Sequence, residues 1–223
     1  MSNHPSPAFS QPRCRELLQA ARLVPVLTIL RERDAEPLAR ALVAGGVRTL
    51  EVTLRTPAGA ASARLIRDAV PEAVVGLGTV LNPHDLELAR ELTLPFAISP
   101  GATPALLDAA KALGVPLVPG VQTASELMGA LERGFDTVKF FPAEPAGGIA
   151  ALKALAGPFP DVRFCPTGGI AEEHVANWLS LPNVLAVGGS WLAPAAEIER
   201  GDWPAITARA RRAMNRLEQE VTQ

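Results

Sequence analysis

Lysine is nearly missing from this chain of 223 residues: Lys111, Lys139 and Lys153 are the only three, and arginine supplies the rest of the positive side chains. A lysine inside an apolar run is therefore hard to dismiss as surface filler. Cysteine is as sparse, with Cys14 and Cys165 alone. Two thiols do not make a secreted disulfide scaffold, and reduced cysteines in a cytoplasmic protein are the simpler reading. The three histidines, His4, His84 and His174, are scattered without HxH or HxxxH spacing, so surface positions and no metal centre are expected. The formal net charge is −2 and no Lys/Arg block stands out, which excludes an electrostatic footprint for nucleic acid. No apolar run reaches the length of a membrane span. The opening MSNHPSPAFSQP has neither a positive segment nor an apolar one, so it reads as a mobile arm over residues 1–10 rather than a secretion signal. No GxGxxG follows the first strand candidate, and no cofactor is expected.

What is present is an ordinary globular balance, 48% hydrophobic and 20% charged, in a chain of barrel length. β-like runs alternate with Ala-, Leu-, Glu- and Arg-rich helical patterns. The strand candidates are Val24–Ile29, Arg48–Leu54, Ala73–Gly78, Pro95–Ser99, Val115–Gly120, Asp136–Phe141, Val162–Pro166 and Asn183–Gly189. Strand–helix alternation implies a parallel sheet with helices outside. Eight repeats in one domain of 223 residues point to an α/β fold of the (β/α)8 TIM-barrel type, with an open doubly wound sheet as runner-up. Gln11–Leu23 reads as an N-terminal helix. Trp203–Val221 carries Ile206, Ala210, Ala213, Leu217 and Val221 on one stripe and reads as an amphipathic C-terminal helix. No linker or second domain is apparent.

Strand alternation makes two segments informative. In the second run, Leu50, Val52 and Leu54 share one face and Glu51, Thr53 and Arg55 the other. If the apolar set meets the helices, a carboxylate, a hydroxyl and a guanidinium point into the barrel, where burying charge is costly unless it is paired or used. A structural Glu–Arg pair is the plainer alternative. In the sixth run, Thr137, Lys139 and Phe141 share one face, Val138 and Phe140 the other. An inward lysine loses hydration, which disfavours its ammonium form, and the free amine can attack a carbonyl to form an imine. A snorkelling lysine near the strand end is the plainer alternative. Thr79 follows strand three in GLGTVLNP; Asn82 fits the helix N-cap ahead of Pro83 better than Thr79 does. Ser99-Pro100-Gly101 and Pro119-Gly120 are turn punctuation by themselves.

Gly pairs end the last two strands, in Pro166-Thr167-Gly168-Gly169-Ile170 and Gly188-Gly189-Ser190. Bare backbone N–H groups there, aided by a helix N-terminus, match the recurrent phosphate site of barrels, and Ser190 adds a hydroxyl. Two tight turns without a ligand are the alternative. Cys165 reads as a small core residue, since no local histidine accompanies it. Trp178, Trp191 and Trp203 are expected at the surface with no stacking pattern, Trp191 beside the phosphate loop.

Taken together, VPVLTI, AGGVRTLEVTLRTP, VVGLGTVLNP, FAISPG, PLVPGV, TVKFFPAE, FCPTGGI and NVLAVGGSWL, in that order from Val24 to Leu192, closely resemble the 2-keto-3-deoxy-6-phosphogluconate (KDPG) aldolase and 4-hydroxy-2-oxoglutarate aldolase family. The resemblance implies metal-independent cleavage to pyruvate and glyceraldehyde 3-phosphate, a step of the Entner–Doudoroff pathway. It places the imine-forming lysine at Lys139 and the general acid/base at Glu51. It places carboxylate binding at Arg55 and Thr79, substrate-lining positions at Pro100, Phe141 and Thr167, and phosphate binding at Gly168, Gly169 and Ser190. It also implies a homotrimer acting on a small 2-keto acid. Gln122-Thr123-Ala124 departs from the family's usual small-Thr-Pro run after strand five. Rival readings are an aldolase for the galactonate epimer or unphosphorylated 2-keto acids, a phosphate-binding barrel isomerase or synthase, and a non-catalytic metabolite-binding barrel.

Overall fold

A computed structural model describes residues 11–221; the arm expected over 1–10, and His4 with it, lie outside the described residues. The parallel strands are β1 (Leu23–Leu27), β2 (Thr49–Thr53), β3 (Val74–Gly78), β4 (Ala97–Ile98), β5 (Leu117–Val118), β6 (Gly120–Val121), β7 (Thr137–Phe140), β8 (Arg163–Pro166) and β9 (Val187–Gly189). The helices are α1 (Gln11–Ala21), α2 (Ala35–Ala44), α3 (Gly59–Ala69), α4 (Pro83–Glu91), α5 (Pro104–Leu113), α6 (Ala124–Glu132), α7 (Gly148–Ala156), α8 (Val175–Leu179), α9 (Ala195–Arg200) and α10 (Trp203–Val221). This is an α/β fold whose parallel sheet curls into a half-barrel. Six strands run in the order β5-β4-β3-β2-β1-β9, and three more in the order β6-β7-β8. Isolated parallel bridges, Phe164 with Val184 and Thr167 with Gly188, join the β8 run to the β9 run.

The fifth expected strand is broken in two, and Pro119 is the reason: it has no N–H to give to a ladder. β5 pairs with β4 before the break and β6 with β7 after it. Ser99 Oγ fills in at the break, accepting from the Gly120 N–H at 3.3 Å, while Lys139 N–H donates to the Pro119 carbonyl at 2.8 Å.

Alternation sorts the core into two clusters. Leu50 and Val52, like Val138 and Phe140, are buried with Leu38, Ile66, Leu127 and Leu152 of the surrounding helices. A second cluster lies on the inner side, with Val24, Phe96, Ile98, Val118, Cys165 and Ala186 packed on Cys14 and Leu18 of α1. Gly76 leaves the space that the Phe96 ring fills: a Cβ there would sit 2.1 Å from the ring. α1 thus plugs the lower end of the curled sheet. Gln11 ties it to two strands, donating to the Leu117 carbonyl at 2.8 Å and accepting from the Thr137 N–H at 3.1 Å. Full burial of Leu18 alone is worth about 1.5–3 kcal/mol. The helix stops two residues before the expected end, at Arg22, whose φ is +55°.

The helix boundaries follow local chemistry. Asn82 caps α4, its side chain accepting from the Asp85 N–H. Thr103 and Pro104 open α5, and Gly114 closes it in the left-handed region. In the segment that departs from the family pattern, Thr123 and Glu126 form a reciprocal capping box at the start of α6. α10 spans the expected range, buries Ile206, Ala210, Ala213 and Leu217, and packs on α2 through a Thr207 Oγ1 to Ala41 carbonyl bond of 2.9 Å. Among the described residues no helix is long and apolar enough to cross a membrane.

Candidate active site

Lys139 and Glu51 meet across the curled sheet. Lys139 sits on β7 and Glu51 on β2, and the two side chains are 3% and 1% exposed. Nζ lies 3.3 Å from Oε1. Gly78 on β3 makes the carboxylate's position possible, since a Cβ there would fall 2.4 Å from both Glu51 Cγ and Oε1. Lys139 Nζ is 5.1 Å from the centroid of the Phe141 ring. Thr53, on the same face as Glu51, spends its hydroxyl on the Leu27 carbonyl at 2.9 Å, which suits a supporting role.

Above the pair opens a cavity of about 460 Å³. Arg55, Phe141, Thr167, Gly168, Gly169 and Ser190 all line it, joined by Val26 and Trp191. Arg55 reaches it from a turn, because β2 ends at Thr53; it is exposed and makes no hydrogen bond or ion pair within the described residues. The structural Glu51–Arg55 pair considered as an alternative is therefore absent among the described residues. Thr167 is buried, and its hydroxyl occupies the space next to Gly188, where a Cβ would come within 2.2 Å of Oγ1. Gly168 and Gly169 have φ of +104° and +81°, a region side chains avoid, so both positions of this turn demand glycine. Four candidates stand outside the lining residues: the buried pair Lys139 and Glu51, and Thr79 and Pro100. Thr79, just after β3, is half-buried with φ of +59°, strained for a β-branched residue. Pro100 is also half-buried, and its carbonyl lies 2.4 Å from where a Gly120 Cβ would be.

Cys165 is adjacent to Lys139 on the neighbouring strand, and burial pushes its thiol up to about 12, with the Lys139 charge opposing. It is a core residue, as expected. His84 and His174 are exposed. The expectation of surface tryptophans fails: Trp191 and Trp203 are half-buried, and Trp178 is fully buried, with its indole N–H donating to Glu144 Oε1 at 3.1 Å. A five-residue helix offers too few positions for a periodic pattern to reveal its buried face. Glu144 itself carried no role in the sequence, although it ends the KFFPAE segment. Gly78 was likewise missed; its parity with Glu51's neighbours was the available signal.

The profile of KDPG and KHG aldolases matches residues 14–209. The chain belongs to the KDPG and KHG aldolase family. It is 52% identical over 198 residues to the KHG/KDPG aldolase of Escherichia coli (strain K12), covering 89% of this chain and 93% of that one. Among solved members of the aldolase family, the Legionella pneumophila KDPG aldolase, with pyruvate captured as a covalent carbinolamine, is 44% identical with a TM-score of 0.87, covering 92% and 98% of the two chains. The Zymomonas mobilis enzyme, solved with 3-phosphoglycerate, is 45% identical with a TM-score of 0.88, covering 92% and 96%.

Proposed function

We propose that the protein is a class I aldolase that cleaves 2-dehydro-3-deoxy-6-phosphogluconate to pyruvate and glyceraldehyde 3-phosphate, and 4-hydroxy-2-oxoglutarate to pyruvate and glyoxylate. The observation that carries the reading is the buried Lys139–Glu51 contact of 3.3 Å beneath a cavity rimmed by paired glycines. The names of the relatives and the covalent pyruvate on the Legionella enzyme support it.

Glu51 stands where it can accept the proton that the Lys139 ammonium must lose before attack. The free amine adds to the C2 ketone, and the carbinolamine loses water to give an iminium. Glu51, through a water, removes the C4 hydroxyl proton. The C3–C4 bond breaks, its electrons flow into the iminium, and glyceraldehyde 3-phosphate leaves. The resulting enamine is protonated at C3, and hydrolysis frees pyruvate and Lys139. Arg55, with no partner among the described residues, grips the carboxylate, aided by Thr79. Pro100, Phe141 and Thr167 hold the chain of the substrate, and Gly168, Gly169 and Ser190 hold the phosphate through backbone and hydroxyl donors. Remote binding at the phosphate then helps the step at C3.

The same reading takes the curled sheet as a closed (β/α)8 barrel forming one domain, with β5 and β6 as one strand interrupted at Pro119. The bridges between the β8 and β9 runs support it. A cytoplasmic homotrimer, as the family resemblance implies, completes the proposal.

Borohydride reduction in the presence of pyruvate, followed by peptide mass mapping, tests the chemistry. A pyruvyl adduct on Lys139 is the expected result. An adduct on Lys111 or Lys153, or none with an active enzyme, overturns it. Comparing cleavage of the gluconate and galactonate epimers decides the substrate.

A further inference from the structure

Glu144 connects three segments around the paired glycines. It lies in the loop that continues Lys139's strand. Its backbone N–H donates to the Gly168 carbonyl at 3.0 Å, and the preceding Ala143 N–H donates to the Thr167 carbonyl at 2.8 Å. Its aliphatic arm covers the glycine turn: a Cβ on Gly169 would lie 2.9 Å from Glu144 Cβ and 3.2 Å from Cγ. Its carboxylate accepts from the indole N–H of Trp178, fully buried on α8, the helix that follows the turn. Meanwhile the Gly169 amide donates no hydrogen bond within the described residues, and both Gly168 and Gly169 line the cavity.

Two strained-for-side-chains glycines in sequence have many conformations open to them, and free amides hold an anion only when they converge. Something must select one conformation. A carboxylate this near a phosphate site would also repel the ligand if left unengaged. The Trp178 bond turns Glu144 away from that role and uses it as a tether. We propose that Glu144, fastened by Trp178, is a positioning residue for phosphate recognition that holds the Gly169 amide toward the cavity. The proposal rests on the aldolase reading above, because it requires a phosphorylated substrate and an unphosphorylated one at the same site.

The test measures kcat and KM for 2-dehydro-3-deoxy-6-phosphogluconate and for 4-hydroxy-2-oxoglutarate in Glu144→Ala, Glu144→Gln and Trp178→Phe. Glu144→Ala and Trp178→Phe should raise KM for the phosphorylated substrate about five- to tenfold, the worth of one net hydrogen bond. The unphosphorylated substrate should keep its KM within about twofold, and borohydride trapping of pyruvate should be unaltered. Glu144→Gln retains an oxygen that accepts from the indole and should restore most of the wild-type KM. Equal rises on both substrates, no rise, or a fall in KM on removing the carboxylate would each overturn the proposal. If Glu144→Ala does not fold, Trp178→Phe and Glu144→Gln carry the same comparison. Failure of the wild-type protein to cleave either substrate would instead sink the aldolase reading.

Discussion

Lys139 Nζ and Glu51 Oε1 are separated by 88 positions in the chain and by 3.3 Å in the fold, with both side chains almost wholly buried. Taking two charges out of water costs several kcal/mol for each, which their attraction only partly offsets. A pair placed there for stability alone would be a poor choice; a pair placed there for chemistry is not.

Removing one partner should therefore cost both activity and stability. Lys139→Met leaves the Glu51 carboxylate buried without its partner, and we expect a loss of about 3 kcal/mol in unfolding free energy along with all cleavage. The double variant Lys139→Met/Glu51→Gln should regain much of that stability and none of the activity. Urea denaturation of the three proteins checks this; a double variant no more stable than the single one would mean that the pair does not bear the cost.

Glu51→Gln separates proton transfer from covalent attachment. It should lower kcat by roughly 10²–10⁴-fold, the range for one general acid/base, while pyruvate still forms an imine that borohydride can trap. Exchange of pyruvate methyl protons with deuterated water, followed by NMR, should slow in parallel. Exchange and cleavage at the wild-type rate would reduce Glu51 to a structural partner of Lys139.

Gly78→Ala tests the same geometry from the neighbouring strand. The new methyl would sit 2.4 Å from the present position of the Glu51 carboxyl, which must move. A displacement of about 1 Å at a reacting group can cost 10²-fold in rate, and we expect a kcat loss of that order with the fold retained. Circular dichroism and kinetics together decide; unchanged kcat would show that Glu51 works equally well from another position.

Thr79→Gly should raise stability and lower function. Its φ of +59° is costly for threonine and free for glycine. After the larger entropy loss of glycine, the net gain should be about 1 kcal/mol. If the hydroxyl helps Arg55 hold the substrate carboxylate, KM rises for both substrates. A variant with a lower Tm and intact KM would refute both parts.

Far from the site, Glu197 and Arg209 join α9 to α10 through two bonds of 2.5 Å. The Arg209 hydrogen bonds hold the Glu197 carboxyl below its ordinary value of 4.5, against the opposing effect of burial. A lowered folded value means that the pair's contribution is complete above the ordinary value and is lost as the pH falls through the folded one. Arg209→Met should cost about 1.5–3 kcal/mol at pH 7. The gap from wild type should narrow in acid, as seen by urea denaturation at neutral pH and near pH 3.5. A gap independent of pH would assign the loss to packing.

The positions of the strand runs, the two terminal helices and the inward parity of Glu51 and Lys139 were legible in the sequence, because side-chain direction follows from backbone period and needs no knowledge of the partner strand. The Gly168–Gly169 turn was legible for the same local reason, since only glycine tolerates its φ, whereas Gly188 and Gly189 are required by the side chains of Thr167 and Trp191 packed on them. Cap residues such as Asn82 and Thr103 act within three positions of themselves. What lay beyond the sequence was every choice made between segments. Pro119 breaks the ladder locally, but which neighbours the two pieces pair with, β4 before the break and β7 after it, is decided by the sheet. Arg55 reaches the cavity from a turn past its strand, where alternation no longer governs direction. Trp178 is buried because Glu144, 34 positions earlier, supplies the acceptor its indole needs. The Lys139–Glu51 contact itself exists only once the sheet has curled far enough to bring β2 and β7 face to face, and that curvature is a property of the packed strands and of α1 beneath them.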